Sequence, residues 1–150
     1  MNNFPKVLLQ VEVQSKKIKR SQITLAGSFQ LQITGDNSLT ALIHDWLKAY
    51  TDNQPLPTLP FSFSEEMKPF NTQVLNGLGS IPKGTTLSYS ELGMHIGRPQ
   101  ASRAVGSALS KNPFPLFLPC HRVIRSNGNL GGFTPDIEIK KHLLEYERAQ

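Results

Sequence analysis

The chain has 150 residues, a net charge of +5 and 38% hydrophobic residues, which allows one ordinary domain or two small lobes and excludes wholesale disorder. A single cysteine excludes an internal disulfide and any multi-cysteine zinc cluster, and fits a reducing, intracellular compartment. The first ten residues carry no long apolar run after a basic stretch, so neither a signal peptide nor a membrane span is expected, and the positive charge suits an anionic partner, nucleic acid first.

Residues 6–13 predict a strand and 16–20 a basic connector or short strand. Residues 22–26 and 29–34 predict two more strands, split by Gly27-Ser28. Together they predict a small antiparallel sheet. Lys16, Lys17, Lys19 and Arg20 fit either a phosphate patch or a solvated strand edge. Asn37 can cap a helix, and Leu39, Leu42, Ile43, Trp46, Leu47 and Tyr50 recur at helical spacing, so a helix packs on the sheet. Nothing in this stretch carries chemistry. Pro55, Pro57 and Pro60 mark a linker. The chain thus divides into a sheet-plus-helix lobe with its linker, residues 1–60, and a second domain, residues 61–150.

Residues 64–67 predict a turn of helix, residues 70–78 a helix with an apolar stripe of Phe70, Val74, Leu75 and Leu78, and residues 81–84 a turn. Ser88 with Glu91 three places on is a capping-box signature for a helix over 89–96, which Gly97 stops. Pro99 suits the first turn of a second helix over 100–110. Two short helices joined by Gly97-Arg98 read as a helix–turn–helix, although helical hairpins of this kind are common. In the second helix Val105 and Leu109 can face inward, while Ala101, Ser102, Ala104, Gly106, Ser107 and Ala108 are small. Such a helix either packs closely on a neighbour or enters a narrow nucleic-acid groove, with Arg103 as its one long cation.

The stretch Leu118-Pro119-Cys120-His121-Arg122-Val123-Ile124 lies between an apolar run, residues 114–118, and the hairpin signal Ser126-Asn127-Gly128. A strand-flanked cysteine is expected. Alone, Cys120 is either a small buried hydrophobe or a nucleophile. A nucleophile must be a thiolate, and a free thiol has a pKa of ~8.5, so a histidine to take the proton and a carboxylate to orient that histidine are needed. Adjacent strand residues point to opposite faces, so Cys120 and His121 need a water bridge or a bent segment to communicate. Thr134 can cap a last helix with Pro135 at its first position and Asp136 and Glu138 in its first turn; Ile137, Ile139, Leu143, Leu144 and Tyr146 pack it. Glu147 is the late carboxylate for the relay; Glu138 and Glu145 compete for the role, and an exposed surface acid is the plain alternative.

Pro119-Cys120-His121-Arg122-Val123-Ile124 resembles the active-site signature of the 6-O-methylguanine-DNA methyltransferase family (methylated-DNA–protein-cysteine methyltransferases). The similarity runs from about Lys68 to Arg148, through Ser88-Tyr89-Ser90-Glu91-Leu92, Ser102-Arg103-Ala104-Val105-Gly106, Lys111-Asn112-Pro113, Gly131-Gly132-Phe133 and Leu143-Leu144-Glu145-Tyr146-Glu147. The resemblance implies an α/β (α+β) fold: a small N-terminal antiparallel sheet with a helix, then a mostly helical C-terminal domain with a winged-helix-like helix–turn–helix. It implies DNA repair by direct damage reversal. The protein would flip 6-O-alkylguanine out of double-stranded DNA and transfer the alkyl group irreversibly to Cys120, once per molecule. A cytoplasmic monomer is implied, without membrane attachment or cofactor, and without zinc, because relatives with a zinc site use several cysteines in the first lobe.

The same resemblance assigns roles. Cys120 matches the acceptor thiol, His121 the base acting through a water, and Glu147 the acid that holds it. Tyr89 matches the tyrosine bonded to ring nitrogen 3 of the flipped base, and Arg103 the finger that fills the stack. Asn112 matches the hinge asparagine; Ser90, Arg98 and Ser126 match positions that touch the DNA backbone. The carbonyls of Cys120 and Val123 would accept from the guanine amino group, and the Thr134 amide would meet the modified oxygen. Phe133 stands where many relatives have tyrosine, and Thr134-Pro135-Asp136 replaces a serine-glycine-glycine stretch, which leaves the accepted alkyl size open. Three rival readings are a damage-recognition relative that binds without repairing, which would lack the cysteine, a helix–turn–helix regulator, and a Cys–His hydrolase.

Overall fold

The computed structural model describes residues 4–131 and 136–149. Strand β1, Val7–Gln14, buries every second residue: Val7, Leu9, Val11 and Val13 are all at most 1% exposed. That period of two turns one face of the sheet to the core. Ser15 and Lys16, both at positive φ, turn the chain tightly into β2, Lys17–Leu25, which pairs antiparallel with β1. β2 is one continuous strand where a connector and a shorter strand were expected. Strand β3, Gln30–Gly35, departs from expectation in direction: it runs parallel to β1, giving the order β2-β1-β3 and a mixed sheet. The cause is register. Leu25 ends β2 opposite Val7, and residues 26–29 carry the chain past the start of β1, so β3 begins opposite Leu8 and runs the same way.

Helix α1, Thr40–Thr51, lays Ile43, Trp46, Leu47 and Tyr50 on the sheet. Leu39 occupies its N-cap without a side-chain bond, so Asn37 does not cap it. The proline-rich stretch is pinned to the open edge of β2: Ile18 N donates to Pro60 O at 2.8 Å and Ser62 N to Ile18 O at 2.9 Å. The first core joins α1 and the sheet to Phe114, Leu116, Phe117, Ile139, Leu143 and Tyr146 from the later half of the chain.

Helix α2, Pro69–Gly77, packs Val74 and Leu75 into a second core with Leu92, Val105, Ala108, Cys120 and Val123. Strand β4, Leu87–Ser88, runs straight into α3, Tyr89–His95, through the expected capping box: Glu91 N donates to Ser88 Oγ and Ser88 N to Glu91 Oε1, both at 3.0 Å. The helix ends before Gly97, whose φ of 78° suits a residue without a Cβ. Helix α4, Ser102–Leu109, starts later than predicted, with Ala101 rather than Pro99 at its entrance, because residues 99–100 form a turn. Its inward residues are Val105 and Ala108, and Leu109 is only half-buried.

The run 114–118 forms turns, not a strand. Pro113 and Pro115 lack ladder donors, and Leu116 has φ of 74°. Strand β5, Val123–Ile124, pairs in parallel with β4. Gly128 turns the chain, with Arg125 N donating to Asn129 O at 2.9 Å, but the partner of β5 is β4 rather than a returning hairpin strand. Helix α5, Ile137–Arg148, is capped by Asp136, whose carboxylate accepts from Glu138 N at 2.8 Å. Asp136 thus takes the capping role expected of Thr134; Thr134 itself, with Gly132, Phe133 and Pro135, lies outside the described residues. Among the described residues no helix is long and apolar enough to cross a membrane.

Candidate active site

Pro119 leads into a single 3-10 turn, Cys120–Arg122, from which β5 departs. This is the bend that adjacent cysteine and histidine require. The four-residue ladder then fixes the neighbourhood: Leu87 pairs with Val123 and Ser88 with Ile124, so Tyr89, the first residue of α3, is held beside the turn. Asn112, just past α4, ties the helix to the same segment. Its Nδ2 donates to Leu118 O at 3.0 Å and its Oδ1 accepts from Phe114 N at 2.9 Å.

His121 is fully buried and its Nε2 lies 2.8 Å from Glu147 Oε2. Glu147 is 2% exposed, whereas the other two glutamates of α5, Glu138 and Glu145, are on its outside. Arg122 grips the carboxylate from its other side, with Nε 2.8 Å from Oε1 and Nη2 3.0 Å from Oε2, and its Nη1 donates to Ile81 O at 2.8 Å. Tyr50 of α1 supplies a fourth bond, from its hydroxyl to Oε2 at 2.6 Å. Burial alone would raise the Glu147 pKa, but hydrogen bonds and charge from His121 and Arg122 overcome it and hold the group far below the usual carboxylate range. An ionised carboxylate can only accept, so His121 carries its proton on Nε2. Its Nδ1 is then the acceptor, and it has no hydrogen-bond partner among the described residues. Burial holds the His121 pKa below its ordinary value, against the pull of Glu147, so the ring is neutral and able to take a proton.

Cys120 is 7% exposed, in the second core. Burial pushes its thiol pKa up, opposed by the Asn112 amide and by the charge of Lys140, so the resting sulfur is a neutral thiol rather than a standing thiolate. Lys140 is itself buried, at 1% exposed, and its Nζ donates to Val123 O at 2.7 Å. Desolvation lowers its pKa to about 8, with Cys120 opposing. The Val123 carbonyl thus already takes one donor, and the Cys120 carbonyl accepts from Val123 N; each keeps a second lone pair.

Beside this buried cluster an open groove of about 360 Å³ is lined by Tyr89, Ser90, Ser102, Arg103, Gly106, Arg125 and Ser126. Tyr89 is the residue common to the groove and to the core around Cys120. Gly131 approaches it closely: its φ is 74°, and a Cβ there would lie 2.6 Å from the Tyr89 hydroxyl. Of the sequence-predicted residues, Cys120, His121, Glu147 and Asn112 therefore converge in the buried cluster, and Tyr89, Ser90, Arg103 and Ser126 along the groove. Val123 sits in β5 between them. Arg98 is exposed in the α3–α4 turn and does not line the groove. Phe133 and Thr134 lie outside the described residues. Sequence reasoning missed Arg122, Lys140, Arg125 and Tyr50. Lys140 had a readable signal, since Lys140, Leu144 and Glu147 share one face of α5; Tyr50 had none beyond an apolar stripe.

A family model described as 6-O-methylguanine DNA methyltransferase, DNA binding domain, matches residues 69–149. The chain belongs to this methyltransferase family. A methylated-DNA–protein-cysteine methyltransferase of Methanothermobacter thermautotrophicus is 50% identical over 78 residues, 52% of this chain and 43% of that protein. One from Methanosarcina acetivorans is 42% identical over 101 residues, 67% of this chain and 64% of that protein. The chain thus spans less than two thirds of either relative. The crystal structure of Mycobacterium tuberculosis O6-methylguanine methyltransferase superposes with a TM-score of 0.68 at 26% identity, covering 95% of this chain and 93% of that one. A second structure of that enzyme, in complex with DNA, gives the same TM-score and identity and covers 95% and 94%. At 95% coverage the superposition extends over both lobes of this methyltransferase-family chain.

Proposed function

We propose that this protein repairs DNA by direct reversal, moving the alkyl group of 6-O-alkylguanine onto Cys120 in one irreversible step. The observation that carries the reading is the buried turn in which the only cysteine precedes a histidine bonded at 2.8 Å to an ionised Glu147. In the step, the thiol proton passes through a water to His121 Nδ1. The sulfur forms a bond to the alkyl carbon, the carbon–oxygen bond breaks with its electron pair on the oxygen, and guanine leaves. The Tyr89 hydroxyl donates to ring nitrogen 3 and disperses the departing charge. Glu147 stabilises the imidazolium that forms, as the orienting acid of a nucleophile–base pair does. A thioether has no route back, so each molecule reacts once.

The substrate is double-stranded DNA. The alkyl carbon is stacked inside the duplex and must be extruded, at a cost of a few kcal/mol. Arg103 would fill the gap while the small face of α4, Ser102 and Gly106, lets the groove meet the backbone closely. Ser90, Arg98 and Ser126 would contact phosphates, with Arg125 added by its position in the groove. Asn112 keeps the recognition helix and the acceptor turn in register. The Val123 carbonyl, the Phe133 ring and the Thr134 amide would complete the base pocket. The protein works as a cytoplasmic monomer whose residues 61–150 bind DNA and accept the alkyl group, with residues 1–60 as a supporting lobe. Two findings in named proteins bear on this: the relatives carry the name methylated-DNA–protein-cysteine methyltransferase, and the Mycobacterium tuberculosis structure contains DNA.

Intact-protein mass after incubation with a methylated duplex tests the reading. A gain of about 14 Da, one methyl group in place of the thiol hydrogen, is expected for the wild type and not for Cys120→Ala. An unchanged wild-type mass refutes it.

A further inference from the structure

Tyr50 closes α1, in the lobe to which the sequence assigns no chemistry. Its hydroxyl makes the shortest of the four bonds to Glu147, 2.6 Å to Oε2, and that same oxygen faces His121 Nε2 at 2.8 Å. The ring has little freedom. It stacks on Trp46 with centroids 5.3 Å apart and planes 9° from parallel, and it touches Phe4 and Tyr146. The Lys83 ammonium sits 4.5 Å from the Tyr50 centroid and donates to Tyr50 O at 2.5 Å and to Asn53 Oδ1 at 2.8 Å. A lysine from the 81–84 turn thus fastens the end of α1 against the cluster. Three donors meet on that oxygen, from Tyr50, His121 and Arg122 Nη2, and they compete: the Tyr50 proton draws charge that would otherwise attract the imidazolium, and it fixes where that oxygen lies.

We propose that Tyr50 is a positioning residue for alkyl transfer, setting through Glu147 how readily His121 takes the thiol proton. This rests on the reading of Cys120 as the alkyl acceptor. His121 is faced by Glu147 and Lys140 from α5 and by Arg122 from its own turn; Tyr50, Lys83 and Tyr146 act on it through Glu147. A change confined to the Tyr50 hydroxyl leaves the cations in place, so its effect on His121 must pass through the carboxylate.

Tyr50→Phe keeps the ring and removes the donor. With one donor fewer, Glu147 favours the imidazolium more. The His121 titration, followed by nitrogen-15 NMR on the whole chain without DNA, should rise by roughly half to one pH unit, a three- to tenfold gain in proton affinity. The acid limb of the transfer rate should rise with it, because a protonated His121 accepts nothing. A folded Tyr50→Phe protein with an unmoved His121 midpoint and an unmoved acid limb overturns the proposal. Should that variant not fold, the unmodified chain decides: the Tyr50 hydroxyl proton and the His121 Nε2 proton share Oε2 and should show mutual cross-relaxation, and its absence overturns the proposal equally. Wild-type protein that takes up no methyl group would instead sink the acceptor reading, while the His121 midpoint still reports on Tyr50.

Discussion

Behind the Cys120 turn, one buried carboxylate accepts four hydrogen bonds of 3.0 Å or less. In front of it, the groove beside Tyr89 is lined by two arginines and three serines, and neither Arg103 nor Arg125 has an ion-pair partner among the described residues. The contrast separates two tasks. A proton relay works only if its geometry is fixed before substrate arrives, so its groups are satisfied by each other. A surface that meets a polyanion gains by leaving its cations in water until phosphates replace the water. Lys140 and Asn112 hold the acceptor segment between the two regions, one by donating to Val123 O and the other to Leu118 O.

If the contrast holds, damage to each side should fail differently. The largest effect is expected at Glu147→Gln, which strands the Arg122 charge and releases His121. Stability should fall by roughly 3 kcal/mol, the cost of breaking a buried ion pair by removing one partner, and transfer should slow by about a hundredfold. Duplex binding should persist; thermal melts, single-turnover rates and a binding titration read the three quantities. Loss of DNA binding together with transfer, in a folded variant, would erase the division. Arg103→Ala should do the reverse. Transfer from a duplex should slow by about tenfold while reaction with the free methylated base is unchanged, and stability should stay within about 0.5 kcal/mol, as for an exposed site. Equal losses on both substrates would remove Arg103 from base extrusion.

A smaller effect belongs to the relay alone. Burial depresses the folded-state pKa of His121, so the unfolded chain binds more protons as pH falls through the ordinary histidine value of 6.5. Stability is therefore present above that value and declines below it, by at most about 1.4 kcal/mol per pH unit. Thermal midpoints between pH 7.5 and 5.5 should fall on the acid side, and Arg103→Ala should show the same slope. A flat profile would mean that His121 is not held neutral.

Much of this was legible in the chain, and the failures have physical reasons. The capping box at Ser88 and Glu91 is local, two side chains and two amides within one turn, and local chemistry survives folding unchanged. The convergence of Cys120, His121 and Glu147 was readable through family resemblance; helical pattern alone left Glu138 and Glu145 open. The parallel direction of β3 was not readable, because alternation fixes which face a strand buries and not which way its neighbour runs. The apolar run 114–118 resembled a strand by composition, yet its prolines have no amides for a ladder. Tyr50 was hidden by its own company: in a stripe with Ile43, Trp46 and Leu47 its ring reads as core, and only the fold brings its hydroxyl to a carboxylate 97 residues away.

The most direct test of the central claim counts turnovers. Excess methylated duplex is mixed with a known amount of protein, and repaired guanine is followed to completion. Repair should stop at one guanine per protein molecule, with the methyl group recovered on the Cys120 peptide. Repair that continues past one equivalent, or a methyl group on any other residue, would contradict the account.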